Sequence, residues 1–490
     1  MQQLTGLDTS FLNIETPTTY GHVSGLAIFD PSTAPGPITL DDVKRLILER
    51  IHLLPPYRRR LVEVPFGLDH PYWIEDPDFD IDFHVRHIGL PPPGDARQLG
   101  EQVSRIVARP LDRSRPLWEL YVIEGLEGGY TAQLTKIHHC AIDGVSGAEL
   151  LTTLLDVSPE PRRVEPPRRA WRPEPQPTQL EMMARGLWGV AGTPRKGFRV
   201  AREALRNLPA VAESVGVELP GAGLINRLIG RRNEPLLSEE ETPVPRTSFN
   251  DQITPHRRFA FGSLSLDEVK EIKNELGVTV NDVVMALCSG ALRRYLEERK
   301  ELPADPLVAM VPVSVRTEEQ KGSFGNQVSA MTASLHTHIA DPIVRLERIH
   351  ESMRVAKERH KALPATLLQD FAQFAPPAVA ARAARVIARA TVASWMDVPF
   401  NVVISNVPGP QFPVYGVGAQ LVANYPVSAI NDGVGLNITV QSYNGSLDFG
   451  LVACRELMPD VWDVMDHLRY SLRELKEAAK ESVARKDADA

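Results

Sequence analysis

Several patterns are scarce in this 490-residue sequence, and each absence excludes a class of protein. Only three cysteines occur, far apart and without a Cys-x-x-Cys pair, which argues against a disulfide framework or a zinc site and favours a reducing compartment. The first residues lack the basic start and apolar run of a signal peptide, and no uninterrupted apolar run is long enough to span a bilayer. We therefore expect a cytoplasmic protein whose membrane contact is peripheral.

Excess basic charge is also lacking. Lys and Arg number 54 against 62 Asp and Glu, which gives a net charge of -8, whereas a nucleic-acid binder is normally basic. No nucleic-acid partner is therefore expected. The catalytic patterns Gly-x-Ser-x-Gly and His-Glu-x-x-His are absent too, which removes the usual signals for an α/β serine hydrolase and a zinc protease.

The most informative stretch places the adjacent pair His138-His139 before Asp143-Gly144. Four residue types at fixed spacing should arise by chance in roughly one of a thousand such sequences. The alternative is a pair of core histidines before a turn. Residues 130–138 have the pattern of a strand that delivers both histidines to its C-terminal end, and Gly144 allows the chain to turn sharply there.

The N-terminal part predicts a mixture of strands and helices. Residues 22–29 and 119–123 are further predicted strands, the second joined to the histidine strand by a glycine-containing loop. Thr39 and Asp42 form a capping-box pattern that predicts a helix through residue 51. A helix is also expected over residues 148–155, directly after the motif.

A proline- and arginine-rich stretch, residues 158–177, is typical of a linker. Residues 180–232 are basic and amphipathic, which fits either an inter-domain helix with a solvated face or attachment to an anionic lipid surface. We therefore predict a first domain over residues 1–157, a linker region over 158–245, and a second domain over 246–490.

The second domain begins like the first, with a strand over residues 258–261 and a capping pattern at Ser265 that echoes Thr39. This likeness indicates a two-fold repeat, although local helix chemistry alone could produce it. Thr279 and Asp282 predict another capped helix. The remaining predictions are strands over 307–315 and 401–405, a turn over 406–410, a hairpin of 436–443 with 446–454 around Asn444-Gly445, and a final amphipathic helix from 461 that frays into a charged tail.

Strand geometry separates the roles of the two histidines. Successive side chains of a strand point to opposite faces, so His138 and His139 cannot both face one cavity, which argues against a shared metal and predicts none. One histidine remains as a general base, because an imidazole with a pKa near 6.5 is neutral and accepts protons at cytosolic pH. Asp143 either orients that base or anchors the turn through a distant arginine.

The motif resembles that of CoA-dependent acyltransferases related to chloramphenicol acetyltransferase and of peptide-synthetase condensation domains. Within this superfamily the sequence is similar to the bacterial wax ester synthase/acyl-CoA:diacylglycerol acyltransferase family. Four further stretches carry the resemblance: residues 4–11, 115–119, 281–282 and 405–410.

The resemblance implies an α/β (α+β) fold of two chloramphenicol-acetyltransferase-like domains, with mixed sheets flanked by helices and an active-site tunnel between them. It implies that His139 is the base, supported by His138, Asp143 and Gly144. The implied reaction transfers a long-chain acyl group from acyl-CoA to the hydroxyl of diacylglycerol, without a covalent acyl-enzyme and without a cofactor other than acyl-CoA as co-substrate. The implied partners are acyl-CoA, a lipid alcohol and a membrane or lipid-inclusion surface.

Three alternatives to this reaction stay open: wax ester synthesis from a fatty alcohol, a condensation-type reaction with a carrier protein, and non-catalytic lipid binding. The intact motif argues against the last, because a scaffold needs no base.

Further site assignments each have a structural alternative. Asn281 is a candidate oxyanion donor or a helix cap. Pro116, Leu117 and Trp118 are candidate substrate-binding residues, although simple packing is favoured. Three arginines at helical spacing are candidates for CoA phosphate or membrane contact, with a solvated helix face as the favoured alternative: Arg382, Arg385 and Arg389.

Overall fold

The computed structural model describes residues 1–36, 38–142, 152–167, 171, 173–191, 244–314, 328–362 and 400–489. Within these ranges the chain forms two six-stranded sheets and one three-stranded sheet, with helices packed against them. This architecture confirms the predicted α/β class with mixed sheets.

The elements before residue 245 are, in chain order, β1 (Gln2–Gln3), α1 (Gly6–Asn13), β2 (His22–Asp30), α2 (Leu40–Arg50), β3 (Arg59–Val62), β4 (Tyr72–Glu75), α3 (Ile81–His84), β5 (Val85–Gly89), α4 (Ala96–Val107), β6 (Trp118–Glu124), β7 (Thr131–His138) and α5 (Gln179–Ala191). Those after it are β8 (Arg257–Ser265), α6 (Leu266–Leu276), α7 (Val280–Glu298), β9 (Val308–Ser314), β10 (Val328–Ser334), α8 (Pro342–Ala362), β11 (Val402–Val407), β12 (Tyr415–Gly416), β13 (Ala419–Val427), β14 (Leu436–Tyr443), β15 (Ser446–Cys454) and α9 (Val461–Asp489).

The first large sheet carries the histidine strand near its centre, in the order β12-β13-β2-β7-β6-β5. Strands β5 and β6 run parallel, and the other neighbouring pairs run antiparallel. The predicted strands around the glycine-containing loop are confirmed as β6 and β7, and β7 ends at His138. His22 of β2 lies directly opposite His138 in the register of this sheet.

The second large sheet has the order β10-β9-β11-β14-β15-β8, in which β11 runs parallel to both of its neighbours. The predicted hairpin is confirmed as β14 and β15, with Tyr443 opposite Ser446. Asn444 and Gly445 adopt φ values of 43° and 84°, the positive values that a type I′ turn requires.

The predicted end of β11 is wrong by two residues. Asn406 and Val407, which the sequence places in a turn, continue the strand and lie opposite Val440 and Gln441 of β14. The parallel ladder extends until Pro408, which has no amide hydrogen to donate to a neighbouring strand.

Helix starts follow the predicted capping chemistry. Thr39 and Asp42 form a capping box at α2, and Thr279 and Asp282 form another at α7. Ser265 caps α6 by accepting a hydrogen bond from the Glu268 amide. These local patterns set the helix starts on their own, so they leave the predicted two-fold repeat untested.

The final helix α9 buries the predicted apolar face against the second sheet. The six predicted residues are at most 5% exposed: Val461, Val464, Met465, Leu468, Leu472 and Leu475. The predicted fraying after this face is wrong, because α9 continues to Asp489. Its last turns are rich in good helix formers, and Lys476 contacts Glu268 of α6 at 2.8 Å.

The first large sheet combines strands from both sides of the predicted domain boundary. Strands β12 and β13 come from the C-terminal part of the chain but complete the first sheet beside β2. The sheets approach closely here, because a Cβ built at Gly450 of β15 would lie 1.7 Å from the carbonyl oxygen of Pro426 in β13. The domain boundaries at residues 157 and 245 stay a prediction. The first sheet contains strands from before residue 157 and from after residue 245.

No single helix in the described part of the chain is long and apolar enough to cross a membrane. Helices α6 and α7 reach the length and apolar composition of a membrane-spanning segment only when they are counted together, and the chain bends by 105° between them. Of the helix predicted over residues 148–155, the structure describes residues 152–155, and 152–154 are helical. The basic segment beyond residue 191 lies outside the described residues.

Candidate active site

The histidine pair lies where β7 leaves the centre of the first sheet. The His138 amide donates to the carbonyl oxygen of Leu117 at 3.0 Å, and the His139 amide donates to the carbonyl oxygen of Gly21 at 2.8 Å. His139 follows the last residue of β7 and begins the turn. Backbone carbonyl groups of the chain on both sides of β7 therefore fix the backbone positions of the two histidines.

His138 is held inside the protein. Its side chain is 1% exposed, and its Nδ1 accepts a hydrogen bond from the Cys140 amide at 3.1 Å. Because Nδ1 is an acceptor, the ring proton belongs on Nε2, which lies 3.2 Å from Oε1 of Glu15. Both ring nitrogens of His138 are thus turned toward protein groups.

Glu15 supplies the negative charge beside His138. Its Oε1 accepts from the Gly21 amide at 2.8 Å, and its Oε2 accepts from Nη2 of Arg113 at 2.6 Å. Burial raises the pKa of this carboxyl, but the contacts with His138, the Gly21 amide and Arg113 outweigh burial and lower the pKa to about 2. Glu15 is therefore ionised throughout the neutral range.

Gly21 leaves the space that His138 occupies. A Cβ built at Gly21 would lie 2.5 Å from Nε2 of His138 and 2.8 Å from the carbonyl oxygen of Phe11, both closer than real Cβ contacts. Position 21 therefore requires glycine, because the chain just before β2 passes close to both the His138 imidazole and the backbone of α1.

His139 keeps part of its surface and lies against an aromatic ring. Its imidazole stacks on Phe11 of α1 with a centroid distance of 4.1 Å and an angle of 9° between the planes. The side chain is half-buried, in contrast with the fully buried His138. Stacking of this kind fixes the ring plane through the face of the imidazole, whereas proton transfer takes place at its edge.

The rest of the predicted motif and the predicted arginine helix lie outside the described residues. This applies to Asp143 and Gly144, the predicted support and turn residues, and to Arg382, Arg385 and Arg389. Their roles stay predictions, and so does the tunnel between the two halves.

Asn281 is the second residue of α7 and does not cap it, because Thr279 is the N-cap. The alternative role of Asn281 as the helix cap is therefore wrong. Its role as an oxyanion donor stays a prediction. Its Oδ1 accepts from Nδ2 of Asn406 at 3.4 Å, which brings together two stretches that carry the family resemblance. The neighbouring Asp282 is 1% exposed and contacts Nδ1 of His350 at 2.7 Å.

Pro116, Leu117 and Trp118 are buried beside the histidine strand. Trp118 is 0% exposed, stacks between Tyr57 and His84 at centroid distances of 4.1 and 4.4 Å, and donates its indole hydrogen to the Tyr57 carbonyl at 3.0 Å. Since Leu117 also receives the His138 amide, this element shows the favoured packing role. A substrate-binding role for it stays a prediction.

A small cavity lies where the first sheet meets the second, lined by residues that include Tyr20, His22, Arg257 and Ser428. Burial lowers the pKa of His22 well below its ordinary value, and the positive charge of Lys136 lowers it further. A third histidine beside the pair is therefore neutral. Its Nε2 donates to the carbonyl oxygen of Val107 at 2.9 Å.

The sequence did not identify the side chains that hold the pair in place. Phe11 lies in a stretch that carries the family resemblance, whereas Glu15, Gly21 and Arg113 belong to no recognised pattern. The contact between Glu15 and Arg113 joins residues 98 positions apart, so no local periodicity could have revealed it. The only local signal in the sequence was that Glu15 lies seven residues before His22, which begins β2 directly after Gly21.

Comparison with known proteins matches nearly the whole chain. The "Wax ester synthase/diacylglycerol acyltransferase catalytic domain" matches residues 4–284, and the "WS/DGAT C-terminal domain" matches residues 324–476. A Mycobacterium tuberculosis protein named "Probable diacyglycerol O-acyltransferase tgs2" is 37% identical over 480 residues, covering 96% of this chain and 98% of its own.

Solved structures agree. The wax ester synthase/diacylglycerol acyltransferase from Marinobacter aquaeolei VT8 has a TM-score of 0.67 and 30% identity, and the match covers 98% of this chain and 100% of that one. The first condensation domain of the calcium-dependent antibiotic synthetase has a TM-score of 0.53 at 16% identity over 98% of this chain and 96% of its own, which shows a shared fold alone. The two-domain fold implied by the resemblance is thereby confirmed. The chain belongs to the wax ester synthase/diacylglycerol acyltransferase family and is an acyltransferase.

Proposed function

We propose that the protein transfers a long-chain acyl group from acyl-CoA to the hydroxyl of diacylglycerol, giving triacylglycerol and free CoA. His139 acts as the general base, no covalent acyl-enzyme forms, and acyl-CoA is a co-substrate rather than a resident cofactor.

The observation that carries this proposal is the difference between the two histidines. His138 has its Nδ1 on the Cys140 amide and its Nε2 beside Glu15, so its ring is committed to the interior. His139 is half-buried at the strand end, and its ring plane is set by Phe11. A general base needs a fixed ring that a substrate can reach, which favours His139.

The proposed chemistry is one addition and one elimination. His139 takes the proton of the alcohol hydroxyl as its oxygen attacks the thioester carbonyl carbon. The tetrahedral intermediate then breaks the carbon–sulfur bond, and the CoA thiolate receives the proton from the His139 imidazolium. Alignment of the two substrates supplies most of the acceleration, together with proton transfer worth about 10²- to 10⁴-fold.

Asn281 is the proposed donor to the oxyanion. The contact with Asn406 is made by Oδ1 of Asn281, which leaves the Asn281 Nδ2 group as the donor. Loss of one such donor typically costs about 3–4 kcal/mol of transition-state stabilisation in other enzymes. We therefore expect Asn281→Ala to lower kcat about 100-fold or more, a cost that a packing role alone would not produce.

The choice of diacylglycerol as acceptor rests on the curated relatives. The Mycobacterium tuberculosis relative is named as a diacylglycerol acyltransferase and matches along almost its whole length. Wax ester synthesis from a fatty alcohol is the second candidate, because the Marinobacter enzyme of similar structure is named for both products.

The test measures CoA release by purified protein from a long-chain acyl-CoA, with either diacylglycerol or a fatty alcohol as acceptor. We expect release with diacylglycerol and near-complete loss in His139→Ala. Faster release with the alcohol would favour wax ester synthesis. Transfer only from an acyl carrier protein would contradict the proposal and favour condensation chemistry.

We further propose that the protein works in the cytoplasm, attached peripherally to a membrane or lipid inclusion. The support is α5, whose Met182 is buried at 1% exposure while Leu180 remains 72% exposed. Flotation with anionic liposomes tests this attachment. Binding that survives deletion of residues 180–206 would contradict a role for this segment as the anchor.

A further inference from the structure

We propose that Glu15 is a positioning residue for the catalytic histidine pair, a role that rests on the proposed acyl transfer. Glu15 does not belong to the His-His-x-x-x-Asp-Gly motif, and it lies more than 120 positions before it in the chain. One carboxylate reaches both histidines, His138 through its ring and His139 through its backbone.

The first connection is direct. Oε1 of Glu15 lies 3.2 Å from Nε2 of His138, and the Cys140 amide donates to the other ring nitrogen. A carboxylate on one side and an amide on the other accept only one tautomer, with the proton on Nε2. Glu15 therefore holds His138 in a single orientation and withholds its Nε2 from competing as a base.

The second connection passes through Gly21. The same Oε1 atom accepts the Gly21 amide at 2.8 Å, and the Gly21 carbonyl accepts the His139 amide at 2.8 Å. Two hydrogen bonds in series thus join the Glu15 carboxylate to the backbone of the proposed base. A shift of Glu15 moves the peptide on which His139 depends.

The third connection sets the ring plane of His139. Arg113 donates through Nη2 both to Glu15 at 2.6 Å and to the carbonyl oxygen of Leu12 at 2.7 Å. Leu12 is in the last turn of α1, the helix whose Phe11 stacks on His139. The Glu15–Arg113 pair therefore fixes the helix that supplies the stacking ring.

Glutamine cannot replace this carboxylate, although it has the same shape. Oε1 receives the Gly21 amide and lies 3.2 Å from His138 Nε2, while Oε2 receives Arg113. An amide presents hydrogens on one side, so Glu15→Gln places its own donor against a protein donor whichever way the amide turns. The variant keeps the volume and loses at least one of the connections.

The effect should fall on turnover and leave substrate binding almost unchanged. Both oxygens of the Glu15 carboxylate are engaged by protein groups, so we expect KM for acyl-CoA to stay within about twofold, as for an interaction that acts only in the transition state. A misplacement of the base by about 1 Å can cost 10²-fold, so kcat should fall about 10- to 100-fold.

The experiment is a double-mutant cycle of Glu15→Gln and His138→Gln, measured as kcat of CoA release and corrected for the folded fraction. Because Glu15 acts partly through His138 and partly through Gly21 and Arg113, the double variant should lose more than either single variant but less than the product of the two single losses. The matched control is Asp156→Asn, which disrupts a buried ion pair with Arg50 at 2.7 Å and should lower stability with an unchanged kcat.

A second readout does not depend on activity. Diethylpyrocarbonate acylates accessible imidazoles, and the modified histidine is identified by mass spectrometry. His139 should react severalfold faster in Glu15→Gln than in wild type or Asp156→Asn, because its backbone anchor and stacking ring are loosened.

The outcomes separate this proposal from the proposed function. A wild-type protein that releases no CoA with any acceptor contradicts the function, and the His139 modification rate then decides the role of Glu15. Unchanged modification in Glu15→Gln, a kcat equal to wild type, or multiplicative losses in the cycle would each overturn the positioning role.

Discussion

Gly21→Ala should damage the histidine pair by overpacking. The added Cβ would lie 2.5 Å from Nε2 and 2.8 Å from Cε1 of His138, whereas ordinary van der Waals contact begins at 3.4 Å. The imidazole must therefore retreat by about 1 Å, the difference between these distances, or the strand must shift. A shift of the strand is obstructed by the Phe11 carbonyl, which the new Cβ also meets at 2.8 Å.

The expected magnitudes follow from this geometry. Overpacking of a well-packed site typically costs about 1–3 kcal/mol of unfolding free energy. A displacement of about 1 Å in a catalytic group can cost up to about 100-fold in rate, so kcat for CoA release should fall about 10- to 100-fold. The two effects should appear together, because one movement causes both.

The assay combines urea unfolding with steady-state CoA release, corrected for the folded fraction at the assay temperature. Gly89→Ala is the matched control, since Gly89 ends β5 of the same sheet that Gly21 leads into, and a Cβ at Gly89 meets nothing within 4 Å. We expect the control to match wild type in both assays. Wild-type stability together with wild-type kcat in Gly21→Ala would refute the proposed packing around His138.

Two further predictions concern stability. Trp118→Ala should lower the unfolding free energy by about 3–5 kcal/mol in urea, because its fully buried ring stacks between Tyr57 and His84; a loss below about 1 kcal/mol would contradict the packing role. Burial raises the pKa of Asp448 to about 6, so the native state binds the proton more tightly and stability should fall as pH rises from about 4 to 6. The expected fall in unfolding free energy is about 3 kcal/mol, because each tenfold change in proton affinity corresponds to about 1.4 kcal/mol. Asp448→Asn should remove this fall. Identical profiles of stability against pH for the variant and wild type would refute the assignment.

Local chemistry made part of the fold predictable from the sequence. The Asn444-Gly445 hairpin and the capping boxes at Thr39 and Thr279 lie where the sequence predicts them, because each depends on residues within a few positions of one another. The amphipathic face of α9 was predictable for the same reason, since its periodicity is written in one segment.

Contacts between distant segments were not predictable. Strand β13 pairs with β2 although almost 400 residues separate them in the chain. The alternation of polar and apolar residues in a strand does not indicate which other strand it pairs with. The same holds within the site. The motif identified His138 and His139, whereas the carboxylate that holds them comes from the loop after α1, and its partner Arg113 comes from a third segment.

The separation of roles within the pair was partly predictable. Alternation along a strand already indicated that the two side chains diverge. The sequence could not state which of them faces inward, because that depends on the register of β7 against β2. The structure answers this question through burial: His138 is 1% exposed, and His139 lies at the strand end beside Phe11.

The central claim is that His139, and not His138, takes the proton from the alcohol. The most direct measurement is the rate of CoA release by folded His139→Ala and His138→Ala, each with long-chain acyl-CoA and diacylglycerol. We predict a loss of about 10²- to 10⁴-fold in His139→Ala, as expected for a general base, and a smaller loss per folded molecule in His138→Ala. Release by His139→Ala at the wild-type rate, or a greater loss in His138→Ala, would contradict the account.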